Sequence, residues 1–271
     1  MKKVGTYVFL GVFTILFAFP FYFMLVSITN PTVNIMQGKL LPSTHLLENW
    51  RNLVSTYDLK QVFFNSARIA LLQTILSVTI ASLAGYGFEI YQSRLKNMLF
   101  NMLLLSMMLP FAATMIPLFR MFGSFSTTIP FIGLDTVASV ILPTLSTAFL
   151  IFFFRQNTKM FSKSLLEAGR MDGLSELGLF FRIYMPTMKT TYAAAAIITF
   201  INSWNSYLWP LITLQSPEKQ TFPLMISAIG AANNPDYGLM MLAIVIATLP
   251  TMVVFFSLQK YFVAGMLGSV K

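Results

Sequence analysis

Residues 7–29 read Tyr-Val-Phe-Leu-Gly-Val-Phe-Thr-Ile-Leu-Phe-Ala-Phe-Pro-Phe-Tyr-Phe-Met-Leu-Val-Ser-Ile-Thr, without one Asp, Glu, Lys or Arg. A helix of roughly 20 apolar residues crosses a bilayer core of about 30 Å, where every backbone N–H and C=O must be bonded within the segment. The stretch is therefore expected to span a membrane. It follows Lys2 and Lys3, as a signal peptide would, but its apolar run is long for one. No small-x-small cleavage site follows, so it reads as an anchor. Five further stretches of the same kind lie near 66–88, 98–119, 136–154, 190–212 and 238–258. The expectation is an all-α membrane protein with six transmembrane helices, forming one domain over residues 1–271.

Composition agrees. The 271 residues are 56% hydrophobic and 10% charged, with a mean hydropathy of +0.71. Soluble domains carry about 25% charged residues. An ordinary soluble enzyme and a disordered chain are both excluded. Zero cysteines exclude disulfide scaffolds, iron–sulfur clusters and thiolate zinc sites. The single histidine, His45, offers no basis for a histidine metal site.

The net charge of +9 could suggest nucleic acid, but the basic residues form no run. They sort instead by topology. With the N-terminus in the cytoplasm, Lys2, Lys3, Arg94, Lys96, Arg155, Lys159, Lys163, Arg170, Arg182, Lys189, Lys260 and Lys271 fall inside. Lys39, Arg51, Lys60, Arg68, Arg120 and Lys219 fall outside. That asymmetry is what the positive-inside rule demands, so both termini are expected in the cytoplasm and no nucleic-acid partner is expected.

The spans hold almost no ionisable residue. A proton-coupled carrier places a carboxylate or histidine at mid-membrane, and none of the nine acids sits there. The driving energy is expected to come from elsewhere. Ser77, Ala81 and Gly85 recur every four residues, a stripe that lets helix backbones approach closely. It is read as packing within the chain, with a subunit seam as the alternative. Pro110 and Pro117 each remove a helix hydrogen bond and predict kinks in the third span. Outside the membrane, Leu46, Leu47, Trp50, Leu53 and Val54 have the spacing of one helix face, expected at the outer boundary. The outer loop near 213–236 carries two turn-forming tetrads, Ser216–Lys219 and Asn233–Asp236.

The most charged connection, near 155–189, contains Ser164-Leu-Leu-Glu-Ala-Gly-Arg-Met-Asp-Gly173. Ser164 and Glu167 have capping-box spacing, and Gly173 fits the left-handed position that ends a helix. Ser175 can start a second short helix, which must finish before Pro186. The result is two short helices at a sharp bend. The small residues Ala168 and Gly169 would give a shallow face that another protein's groove could close around.

The pattern Glu167-Ala168-Gly169, three residues, Gly173, nine residues, Ile183, one residue, Met185-Pro186 resembles the EAA motif of ABC importer permeases. The family pattern has Ala where this chain has Gly169 and Leu where it has Met185. The resemblance implies the type I ABC importer permease fold. It also implies that this loop is the coupling helix, seated in a cleft of the ATP-binding subunit. The residues that would carry that role are Glu167, Ala168, Gly169, Arg170, Asp172, Gly173, Ile183 and Pro186.

Asn65-Ser66, Gly85-Tyr86, Met107–Pro110, Met171–Gly173 and Trp204–Leu211 resemble the sugar branch of that family. The tail near 259–271 is similar to that of the maltose-type second subunit. This implies contact of Gly265, Gly268 and Lys271 with the ATPase. The implied function is a sugar-importing permease subunit in the bacterial cytoplasmic membrane, multi-pass and not itself an enzyme. The implied partners are a homologous second permease, two ATP-binding subunits, an external solute-binding protein, the sugar and membrane lipid. ATP and magnesium would be bound by the partner ATPase, and no cofactor or metal by this chain, which has no Walker motif. Asn65, Trp204, Asn205 and Tyr207 are candidate pathway residues. For Trp204 and Asn205, an interfacial ring and a helix-to-helix hydrogen bond are the alternative, and Tyr207 and Trp209 have the look of an aromatic belt. The rival functions are a permease for an amino acid or polyamine, an ion-coupled secondary carrier and a membrane hydrolase. The last lacks any His/acid constellation.

Overall fold

A computed structural model describes residues 2–268, and all regular structure among them is helical. The chain runs through α1 (Lys2–Ser27), α2 (Thr32–Met36), α3 (Leu46–Thr56), α4 (Leu59–Ile90), α5 (Arg94–Ser106) and α6 (Phe111–Thr128). It continues through α7 (Val137–Ile141), α8 (Ala148–Thr158), α9 (Lys163–Met171), α10 (Glu176–Leu179) and α11 (Met185–Thr187). The last are α12 (Lys189–Trp204), α13 (Leu208–Thr213), α14 (Phe222–Gly230) and α15 (Tyr237–Gly268).

Among the described residues, α1, α4 and α15 are long and apolar enough to cross a membrane as single helices. The stretches at 98–119 and 136–154 are not single rods. α5 and α6 meet at a 98° bend, and the helical segment at 137–144 meets α8 at 49°. The first bend ends on Pro110, the residue before α6, whose missing N–H and ring clash with the carbonyl four residues back stop α5 from continuing. Pro117 instead lies inside α6. The stretch at 190–212 divides at Asn205 into α12 and α13.

The contacts group the chain into two compact units, one of residues 1–63 and 221–250, the other of 64–220 and 251–271. In the first, α3 forms where the apolar spacing predicts it. Its inward side is Asn49 and Leu53, both buried, while Leu46, Leu47, Trp50 and Val54 face outward. Of the five residues with that spacing, Leu53 alone is buried. Asn49 anchors the helix by donating to the carbonyls of Ile28 (2.9 Å) and Asn30 (3.2 Å).

In the second unit the small-residue stripe is an internal seam. Ser77, Ala81 and Gly85 are buried, and a Cβ built on Gly85 would stand 2.6 Å from Phe154 Cβ and 2.8 Å from Arg155 N. The backbones of α4 and α8 can approach this closely only because Gly85 has no side chain. Val78, Ala81, Phe100, Ile151 and Phe154 fill the space around the seam. Glu89 and Arg155 close its end with an ion pair at 3.3 Å, both largely buried.

Candidate functional site: the bend at Gly173 and a polar cavity

The loop after α8 folds as two short helices at a sharp bend. α9 ends in a Schellman arrangement: Leu174 N donates to Gly169 O and Gly173 N to Arg170 O, each at 3.0 Å. This geometry places Gly173 at φ +78°, open to residues without a Cβ at little cost. Ser175 then caps α10, accepting from Gly178 N.

Three details differ from the sequence reading. Ser162, not Ser164, is the N-cap of α9, and its hydroxyl pairs with that of Ser164 (2.7 Å) instead of capping. The helix begins two residues earlier than the capping-box spacing implies, so Glu167 has no free N–H to cap and is exposed. The second helix does not stop before Pro186. The turn widens to a π segment over Phe180–Tyr184 and passes into α11, which contains Pro186. Loosening the turn is a common way to pass a residue that lacks its N–H.

The third correction concerns the small-residue face. Ala168 is exposed but Gly169 is buried. A Cβ at Gly169 would stand 2.5 Å from Ile183 Cδ1 and 2.6 Å from Leu179 Cδ2. Gly169 therefore lets the two short helices close on each other, and Ile183 is its partner. The outward face holds Glu167, Ala168 and Asp172, and neither acid makes an ion pair among the described residues.

Beneath that face lies an aromatic cluster. Tyr86, near the end of α4, packs on Tyr184 (4.8 Å between centroids) and Phe180 (5.3 Å). Phe161, Leu166 and Leu179 complete it, and Tyr184 shares a buried hydrogen bond with Thr158 (2.6 Å). Arg170 grips Glu176 with two bonds across the bend, at 2.9 and 3.2 Å. Tyr91 donates to the same carboxylate. The Arg170 and Tyr91 hydrogen bonds hold the Glu176 carboxyl below its ordinary value.

A second knot ties 135 to 213–219. Asp135 N donates to Thr213 O (2.8 Å), and its carboxylate accepts from Gln215 N (3.0 Å), Ser216 N (3.1 Å), Ser216 Oγ and Lys219 Nζ (2.9 Å). Burial opposes ionisation, but the bonds from Ser216, Lys219 and Gln215 outweigh it and hold the carboxyl at about 2. Asn65 secures the same segment by donating to the carbonyls of Glu218 (2.8 Å) and Gln220 (3.0 Å).

The candidate pathway residues do not converge. Asn65 is spent on that segment. Trp204 is buried and stacks on Phe200 (5.7 Å), and Asn205 returns its amide to Ile201 O (2.9 Å). Trp209 is no belt residue: it is buried, with Nε1 donating to Ser139 O (2.9 Å). A cavity of about 290 Å³ opens instead among their neighbours, lined by Gln73, Ser77, Thr144, Asn202, Ser203 and Trp209 among others. The available signal was Gln73, an amide in an otherwise apolar stretch. Of the tail residues, Gly265 and Gly268 fall within the bounds of α15, and Lys271 lies outside the described residues.

Comparison with known proteins agrees with this architecture. Residues 77–268 match the family described as "Binding-protein-dependent transport system inner membrane component". The lactose transport system permease protein LacG of Rhizobium radiobacter is 46% identical, over 93% of this chain and 90% of its own length. The arabinooligosaccharides transport system permease protein AraQ of Bacillus subtilis is 34% identical, over 94% and 95%. The sn-glycerol-3-phosphate transport system permease protein UgpE of Escherichia coli K12 is 30% identical, over 98% and 95%. The fold is also that of a chain in a crystal structure of a bacterial ABC transporter importing the acidic polysaccharide alginate. That match has a TM-score of 0.78 at 22% identity and covers 96% of both chains. The chain thus belongs to the binding-protein-dependent inner membrane components, the permease subunits of ABC transporters.

Proposed function

We propose that the chain is one of two different permease subunits of an importer that moves a sugar, of the oligosaccharide class, from an external binding protein into the cytoplasm. It crosses the membrane six times with both termini inside. The distribution of basic residues supports that orientation, which puts the Gly173 bend in the cytoplasm. Two ATP-binding subunits, holding ATP and magnesium, dock there.

The bend carries this reading. Its exposed face offers Glu167, Ala168 and Asp172 to a partner, with Pro186 also exposed. Gly173, Gly169 and Ile183 set the geometry, and Arg170 braces it. The aromatic cluster roots it on Tyr86 of α4, so a displacement of the bend is a displacement of that helix. ATP binding closes the ATPase dimer, and the bundle switches because the bend makes different contacts with the closed and open forms. The end of α15, with Gly265 and Gly268, and the tail to Lys271 add a second contact with the ATPase. The sugar assignment draws on the lactose and arabinooligosaccharide relatives.

Affinity purification from membranes tests the assembly. The expected result is this chain with a second permease and an ATPase, the two permeases in equal amounts. Uptake of sugar by this chain alone in liposomes would overturn the reading.

A further inference from the structure

The coupling bend leaves the cavity unexplained. It lies wholly within the unit containing residues 64–220. Its volume is at the low end for small-ligand sites, which start near about 300 Å³. On its wall Gln73 Nε2 donates to Thr144 Oγ1 (2.7 Å), and Gln73 Oε1 accepts from Ser203 Oγ (2.8 Å). A side-chain amide has two N–H donors and two acceptor lone pairs. These bonds use one of each. One donor and one acceptor remain on Gln73, aimed by partners on two other segments.

One turn along α4, Ser77 is 1% exposed, and its buried hydroxyl has no hydrogen-bond partner among the described residues. Orphans of this kind are rare and costly, and a ligand that reaches them is one explanation for their survival. Asn202 stands at the exposed edge of the cavity with no side-chain hydrogen bond among the described residues. Trp209 contributes a buried aromatic wall, its N–H already engaged.

We infer that this cavity is a subsite for one neutral polyhydroxylated ring, with Gln73 reading a pair of adjacent hydroxyls and Ser77 and Asn202 reaching others. The inference rests on the proposal that the cargo is a sugar, and it places substrate contact on this subunit. Adjacent hydroxyls offer both a donor and an acceptor, which is what Gln73 has left. The buried Trp209 ring gives the cavity an apolar stretch of wall for the C–H side of a ring. None of the lining residues is ionisable, so a phosphate or carboxylate would lose its water without gaining a counter-charge. The cargo recognised here is therefore uncharged, unlike the glycerol phosphate and alginate named for two of the similar proteins.

The chain has no cysteine, so Asn202→Cys supplies one reporter thiol, with Thr147→Cys, also exposed on the cavity, as a second position. The experiment uses the assembled transporter in proteoliposomes with its binding protein and ATP. The probes are lactose and other neutral disaccharides, with glycerol 3-phosphate as the anionic control. Wild-type uptake separates the two claims: if no neutral sugar enters, the sugar reading itself fails. If one enters, that sugar should slow thiol labelling at residue 202 or 147 by about fivefold or more, and glycerol 3-phosphate should not. Gln73→Leu should then lower uptake about tenfold at sub-saturating sugar, and Ser77→Ala less, as expected for lost hydrogen bonds to substrate. Protection decides the matter even if Gln73→Leu fails to assemble. Labelling unchanged by saturating transported sugar would show that the cavity holds only water.

Discussion

The bend at Gly173 and the knot at Asp135 both turn on a residue with left-handed backbone, φ +78° and +61°. They hold that conformation by opposite means. At Gly173 the residue has no side chain, backbone bonds shape the turn, and a Cβ there would meet nothing within 4 Å. At Asp135 a side chain is present, and the strain of positive φ is offset by donors converging on its carboxylate. The first leaves its surroundings open for a partner. The second spends its side chain inside the chain and has none to offer. The contrast separates a turn with open space around it from one tied to its own chain.

The sharpest way to break that contrast is Gly173→Val. A β-branched residue at φ +78° is a genuine outlier although the space is empty, so the damage should come from the backbone alone. Uptake should fall at least about tenfold, with the protein still inserted in the membrane and the ATPase no longer co-purifying. Normal uptake would show that the bend is not a coupling element.

Asp135 should respond in stability rather than in coupling. Asp135→Gly relieves the positive φ but strands the Ser216, Gln215 and Lys219 donors. A loss of about 1–3 kcal/mol is expected, read as a lower melting temperature in detergent. Stability equal to the parent would mean that backbone strain, not the carboxylate, governs this turn. The pH sign follows from the depressed pKa. The contribution of the Asp135 carboxylate is fully present above the unfolded value of about 3.9 and is lost as pH falls through about 2. Asp135→Asn should flatten that acid limb.

A smaller effect is expected from Glu176→Gln. The pair with Arg170 is well exposed, and exposed pairs contribute little. Uptake should fall less than about threefold and should become insensitive to added salt, because the screened attraction is already gone. A complete loss would mean that the brace, rather than the Schellman turn, holds the bend.

These elements were legible in the sequence to different degrees. The apolar stretches were plain, because the absence of charge is a composition signal that needs no geometry. Gly173 was plain because its spacing to Ser175 and the preceding helix leaves few other roles. The breaks inside the apolar stretches were only half visible: Pro110 marks one, but nothing local marks the end of α12 at Asn205. The Asp135 knot was invisible, since its donors lie about 80 residues away in sequence. The cavity was missed for a related reason. Trp204 and Asn205 carry the louder side chains, yet Asn202, Ser203 and Trp209 line the cavity instead.

Gly169 sharpens the comparison most finely, because sequence resemblance and structure disagree about it. The related pattern carries Ala there, and as part of a docking face Ala would serve equally well. In this chain a Cβ would collide with Ile183 Cδ1 and Leu179 Cδ2. Both are far ends of flexible side chains, which rotate more cheaply than backbone moves. Against that cost stands a gain of about 1 kcal/mol in helix propensity when Gly becomes Ala. The two nearly cancel, so Gly169→Ala should leave uptake within about twofold. Gly169→Leu cannot be absorbed by rotamers and should separate α9 from the Phe180–Tyr184 turn, lowering uptake and the melting temperature in detergent together, whereas Ala168→Leu, on the outer face, should lower uptake through lost ATPase association with the melting temperature unchanged. If Gly169→Leu instead behaves as Ala168→Leu does, Gly169 belongs to the docking surface, and the closure of the two short helices rests on the aromatic cluster alone.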